Sequence, residues 1–217
     1  MVRAQAVQQE GGNPVSDDTL FDELFARCRV MAILRGMSRE RTLELAERAW
    51  DLGVTAVEVP VQTPEAVETL RAVAAAGAAR GRLVGAGTVV CADHVQAARE
   101  AGAVFTVAPG FDAEVSDASL AAGLAHLPGA ATATEIQRVL RHGHRWVKVF
   151  PAAPLGAEWI AAMRGPFPDL RVVATGGIGA DNAAAHLDAG ADVVAVGSAL
   201  ADPERLADLM KGVGDGA

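Results

Sequence analysis

From Val30 onward, short apolar runs alternate with longer Ala-rich stretches of helical character. The runs are VMAIL (30–34), AVEVPV (56–61), LVGAGT (83–88), VFTVAP (104–109), LAHLPG (124–129), WVKVFP (146–151), VVATGG (172–177) and VVAVGS (193–198). Their starts lie roughly 20 to 27 residues apart, the length of one strand, one helix and two short loops. Nearly continuous Val, Ile and Ala runs are what buried parallel strands show, because helices cover their faces.

The intervening stretches carry helix punctuation. Ser38 opens the first, with Glu40 and Arg41 in its opening turn and Gly53 past its end. Thr63-Pro64 opens the second with a capping hydroxyl followed by proline at the first helical position. Asp181-Asn182 and Asp202-Pro203 begin the last two in similar fashion, and Gly190 stops the seventh.

Strand–helix alternation favours a parallel sheet, closed or open. Eight repeats of one unit favour closure into an α/β (β/α)₈ TIM barrel. A doubly wound sheet would carry a dinucleotide fingerprint after its first strand. Leu34-Arg35-Gly36 has none, and Gly85-x-Gly87 is too short a match. We expect a single barrel domain over 17–217. The polar segment 1–16, with Gly11, Gly12 and Pro14, reads as a flexible tail without the apolar run of a signal peptide.

The length of 217 residues fits one such domain. A formal charge of −8 argues against a nucleic-acid partner. An anionic substrate must then be held by a local positive site. No apolar stretch is long enough to span a membrane. Cys28 and Cys91 are too few for a disulfide framework and read as small apolar residues, which fits a reducing cytoplasm. Tyrosine is absent, so none can act as acid or base.

Of the 19 Lys and Arg residues, only Lys148 and Lys211 are lysines. Lys211 lies in the C-terminal tail, whereas Lys148 interrupts the apolar run Trp146-Val147-Lys148-Val149-Phe150. Arginine cannot lose its proton in a protein, and only a neutral amine attacks a ketone to form an imine. A lysine inside a barrel strand therefore reads as a Schiff-base former. It could instead snorkel to the barrel mouth and simply hold an anion.

Glu58 interrupts Ala56-Val57-Glu58-Val59-Pro60 in the same way. A buried carboxylate needs a partner or a task. Strand alternation puts Ala56, Glu58 and Pro60 on one face and Val57 and Val59 on the other. It likewise groups Lys148 with Trp146 and Phe150, against Val147 and Val149. If these faces point inward, Lys148 and Glu58 project into one mouth, near the C-terminal strand ends where barrel enzymes place their chemistry. Glu58 then serves as general acid/base. The alternative is a plain buried ion pair. Of the five histidines, His126 in the fifth run is read as a core or layer residue and given no role. No cluster of zinc ligands is visible, so no metal is expected.

Thr175-Gly176-Gly177 ends the seventh run and Gly197-Ser198 ends the eighth. Barrels bind phosphate with backbone N–H groups in these two loops, and glycine permits the close approach. Arg35, directly after the first run, and Thr88, closing the third, could each hold a carboxylate.

Together these segments resemble the KDPG/KDPGal/KHG aldolases, which are class I enzymes. They act on 2-keto-3-deoxy-6-phosphogluconate, its galactonate epimer or 4-hydroxy-2-oxoglutarate. The resemblance runs from about Val30 to Leu200 and rests on AILRG (32–36), AVEVPVQTP (56–64), VGAGTV (84–89), PGAATATE (128–135), VKVFPA (147–152), GPFP (165–168), TGGI (175–178) and VGSAL (196–200). It implies an imine on Lys148 with Glu58 as acid/base. The pyruvate half would be held by Arg35, Thr88 and the Pro151 region, and phosphate by Gly176, Gly177, Gly197 and Ser198. It also implies a homotrimer with neither metal nor organic cofactor, releasing pyruvate and glyceraldehyde 3-phosphate.

One departure bears on the substrate. Many gluconate-type members carry an arginine in a segment like EVTLRT, where this chain has Gln62, an uncharged amide. Arg35 in ILRG could supply the charge instead. The EVP-type segment leans toward the galactonate type, while GPFP and TGGI look like the gluconate type. The epimer stays open at this stage. So do two rival readings, a sugar-phosphate epimerase or isomerase and a non-catalytic barrel that binds a phosphorylated acid.

Overall fold

In the computed structural model, residues 17–197 and 203–214 are described. The expected tail 1–16, Ser198 and Asp202 lie outside them. Every apolar run contributes a strand. These are β1 (Val30–Ile33), β2 (Ala56–Pro60), β3 (Leu83–Gly87), β4 (Phe105–Val107), β5 (Ala125–Leu127), β6 (Gly129–Ala130), β7 (Trp146–Val149), β8 (Arg171–Thr175) and β9 (Val193–Val196).

All pairings are parallel, in the order β5-β4-β3-β2-β1-β9-β8-β7-β6. β5 and β6 are two halves of one run, divided at Pro128, which has no N–H to give a ladder. One half pairs with β4 and the other with β7. The Lys148 N–H donates to the Pro128 carbonyl across the break at 2.8 Å. The sheet thus meets itself, and the fold is a (β/α)₈ barrel whose fifth wall is β5 plus β6.

The helices are α1 (Asp17–Phe25), α2 (Arg39–Asp51), α3 (Pro64–Ala79), α4 (Ala92–Glu100), α5 (Ala113–Ala121), α6 (Ala133–Arg141), α7 (Ala152–Leu155), α8 (Ala157–Arg164), α9 (Ala183–Asp188) and α10 (Pro203–Gly214). Ser38 and Thr63 cap α2 and α3 as expected, accepting from the N–H groups of Arg41 and Ala66 at 3.3 and 3.2 Å. Asn182 is different. It occupies the N-cap position of α9, but its side chain makes no capping hydrogen bond.

Two apolar clusters separate the layers. Val57, Val59, Val147 and Val149 pack outward, with Trp50 and Ile136, between sheet and helices. Ala56, Trp146, Met31, Phe105, Leu127 and Val173 fill the barrel interior. The strand faces carrying Glu58 and Lys148 are therefore the inward ones. α1, which the run pattern does not reveal, closes the N-terminal end of the barrel. Its Phe21 and Phe25 pack at a tilt against Trp146 at ring distances of 6.3 and 5.1 Å, and Phe21 meets Phe105 edge-on at 5.7 Å.

Candidate active site

Toward the C-terminal end the interior turns from apolar to polar. Lys148 follows Trp146 on the inner face of β7 and is 2 % exposed. Its amine lies 5.3 Å from the centre of the Phe150 ring. It opens into a cavity of about 370 Å³. The sequence-predicted Arg35, Gly176, Gly177 and Gly197 line this cavity with it, together with Thr175. Ile33, Met37, Phe150 and Ile178 give the cavity an apolar wall that the sequence reading did not single out.

Glu58 is fully buried, and neither carboxylate oxygen has a hydrogen-bond partner among the described residues. A buried carboxylate left unpaired calls for a functional explanation. The geometry that admits it comes from β3. A Cβ on Gly87 would stand 1.8 Å from Glu58 Oε1, so the acid lies against a strand that has no side chain there. Gly85 makes the same kind of room for the Phe105 ring, which a Cβ would meet at 2.0 Å. The G-x-G of β3 is a packing device, and no loop motif is involved. β2 and β7 stand on opposite walls of the barrel, so Glu58 and Lys148 approach the axis from opposite sides. Glu58 is not itself part of the cavity wall.

Arg35 and Thr88 are brought together: the guanidinium donates to the threonine hydroxyl at 2.9 Å. Thr88 has φ of 57°, in the left-handed region. For a β-branched residue this is an outlier costing about 1–3 kcal/mol, and such strain clusters at functional sites. Pro151 is exposed, follows Phe150 at the start of α7 and does not line the cavity. Gln62 is also exposed. It lines a separate groove of about 590 Å³ beside the starts of α2 and α3, which shares only Leu34-side residues Arg35 and Met37 with the mouth.

The glycine loop after β8 is tightly enclosed. Gly176 and Gly177 have φ of 96° and 74°. A Cβ on Gly176 would press on the Phe150 ring at 3.0 Å, and one on Gly177 would sit 2.7 Å from the Ala153 Cβ. Only glycine fits both the conformation and the space.

His126 lies on the outer face of its strand, with Nδ1 2.8 Å from the Thr106 hydroxyl and no hydrogen-bond partner for Nε2 among the described residues. Burial, and then the neighbouring His144 and His142, push its pKa down to about 3. An imidazole so placed is remote from the interior and stays neutral at physiological pH. Among the described residues no group of three or more His, Cys, Asp or Glu could hold a metal ion. No described helix is long and apolar enough to cross a membrane.

Residues 21–211 match the family model for KDPG and KHG aldolase. The 2-dehydro-3-deoxy-phosphogluconate aldolase of Treponema pallidum is 37 % identical over 170 residues, covering 78 % of this chain and 80 % of the relative. The 2-dehydro-3-deoxy-6-phosphogalactonate aldolase of Escherichia coli is 34 % identical over 172 residues, covering 79 % and 83 %. Among solved structures, the KDPG aldolase of Legionella pneumophila, with pyruvate captured as a covalent carbinolamine intermediate, superposes with a TM-score of 0.77. It shares 28 % identity, covering 88 % of this chain and 96 % of that one.

Proposed function

The chain belongs to the KDPG and KHG aldolase family and is a class I aldolase, a carbon–carbon lyase; from that premise we propose that Lys148 forms its Schiff base, with Glu58 as the proton carrier. The observation that carries this reading is an almost fully buried lysine opening into a cavity whose other polar walls include an arginine, a threonine and a glycine loop.

The Lys148 amine attacks the C2 carbonyl of a phosphorylated 2-keto-3-deoxy sugar acid, and loss of water from the carbinolamine leaves an iminium. Glu58, set back from the cavity wall, takes the C4 hydroxyl proton through a water. The C3–C4 bond then breaks, its electrons flow into the iminium, and glyceraldehyde 3-phosphate leaves. A proton returned to C3 of the enamine and hydrolysis of the imine release pyruvate and restore the amine. Arg35, held by the Thr88 hydroxyl, binds the substrate carboxylate; the family resemblance also assigns Pro151 to that half, although it stands outside the cavity wall, next to the lining residue Phe150. The phosphate lies at Gly176, Gly177, Gly197 and Ser198, the last being outside the described residues.

Relatives of both epimer types stand at similar identity, so the substrate is set as a 2-keto-3-deoxy-6-phospho acid of either C4 configuration, with 4-hydroxy-2-oxoglutarate as a smaller alternative. On the family resemblance we also assign a cytoplasmic homotrimer serving sugar-acid breakdown of the Entner–Doudoroff type, without metal or organic cofactor. The test couples pyruvate release to lactate dehydrogenase for the gluconate phosphate, the galactonate phosphate and 4-hydroxy-2-oxoglutarate side by side. We expect turnover of at least one phosphorylated acid well above the unphosphorylated one. Background rates with all three would leave an epimerase or a non-catalytic binder.

A further inference from the structure

The loop that would hold the phosphate is itself held by a side chain with no assigned task. β8 ends at Thr175, Gly176 and Gly177 follow in left-handed conformations, and Ile178 anchors the loop in the core. Asn182, four residues further on, turns its amide back onto this loop. Its Nδ2 donates to the Gly177 carbonyl at 2.9 Å, and its Oδ1 accepts from the Gly179 N–H at 2.9 Å. The Gly176 carbonyl is taken separately by the Ala153 N–H at 3.0 Å.

Both glycine carbonyls are thus committed to protein donors. In a trans peptide the C=O of one residue and the N–H of the next point in opposite directions. Fixing the Gly176 carbonyl on Ala153 therefore aims the Gly177 N–H the other way, and fixing the Gly177 carbonyl on Asn182 does the same for the Ile178 N–H. Gly176, Gly177 and Ile178 all line the cavity. With those N–H groups turned to the cavity, an anion there would meet donors, which it needs, rather than carbonyl lone pairs, which repel it.

We propose that Asn182 is a positioning residue for phosphate recognition, its amide orienting the Gly177–Ile178 peptide toward the anion. The proposal rests on the reading of Gly176–Gly177 as the phosphate loop. Asparagine suits the task because it presents a donor and an acceptor together, whereas an ionised aspartate only accepts. The alternative use of this side chain, capping α9, is one that it does not make.

Steady-state constants test it on wild type, Asn182→Ala and Asn182→Asp. The substrates are a 2-keto-3-deoxy-6-phospho acid and 4-hydroxy-2-oxoglutarate, with inorganic phosphate as competing inhibitor and thermal melts as a check on folding. In Asn182→Ala the kcat/KM preference for the phosphorylated acid should fall about tenfold, the size of one lost anchoring interaction, and through KM rather than kcat. The inhibition constant of phosphate should rise in step. Asn182→Asp keeps the acceptor for Gly179 and loses the donor, so it should lose at least as much preference despite a similar melt. Equal losses on both substrates, or a preference untouched in either variant, would overturn the role of Asn182. A wild type with no preference and no inhibition by phosphate would instead remove the phosphate loop itself, and this proposal with it.

Discussion

The two ends of the barrel share their strands and divide the work. At the N-terminal end, Phe21, Leu24 and Phe25 of α1 close the interior against Phe105 and Trp146. At the C-terminal end, the same strands present Lys148, Glu58 and Thr175. On β7 the change from Trp146 to Lys148 takes two residues, about 7 Å of strand. One end can therefore be a dense aromatic core while the other keeps polar groups and strained backbone. Thr88, the one non-glycine with a left-handed φ among the described residues, lies at the mouth beside the paired glycines after β8, and the packed end supplies the rigidity that lets its conformation persist.

Substitutions that act on one end should leave the other alone. The largest effect is expected at the mouth. Glu58→Gln keeps the side chain's shape but exchanges no proton, so kcat should fall by roughly 10²–10⁴, with a melting temperature no lower than wild type. Unchanged turnover would assign the proton transfers elsewhere. At the closed end, Phe21→Ala should cost about 3–5 kcal/mol of stability by emptying a fully buried site. Denaturant titration reads that loss, and the KM of the folded fraction should not move. A KM shifted severalfold would mean that the plug also shapes the mouth.

The smallest effect comes from the outer layer. His126 has a native pKa of about 3 against the ordinary 6.5. Below pH 6.5 the unfolded chain binds a proton that the folded one refuses, so stability falls as pH falls. The loss is about 1.4 kcal/mol per pH unit over the window between roughly 6 and 3. Urea midpoints measured down that range should flatten in His126→Asn, with activity at neutral pH retained. A parallel slope in both proteins would place the acid sensitivity on other groups.

Much of this division can be read along the chain. The spacing of the eight runs locates every strand, and the period of two along AVEVP and WVKV predicts the shared inward facing of Glu58 and Lys148. The runs overshoot at their ends, however. Thr88, Gly176, Gly177 and Gly197 all fall just past a strand, because left-handed or loop backbone ends the ladder there. The α1 plug left a signal, since Leu20, Phe21, Leu24 and Phe25 recur at helical spacing. Other features depend on contacts that no local pattern carries. Gly85 and Gly87 are glycine because Phe105 and Glu58 lean on them from neighbouring strands. Asp181-Asn182 marks the start of α9 locally, but the Asn182 amide is taken by Gly177 and Gly179 of the preceding loop. His126 lies in a strand, yet its parity turns it outward, away from the interior that the run as a whole suggests.

The central claim is that the amine of Lys148 reaches a keto acid inside the mouth and bonds to it covalently. Incubating the protein with pyruvate, reducing with borohydride and mapping the product by peptide mass spectrometry tests this most directly. One pyruvate-derived adduct is expected, on the peptide containing Lys148, and none in Lys148→Arg. An adduct on Lys211 alone, or no adduct while aldol cleavage proceeds, would contradict it.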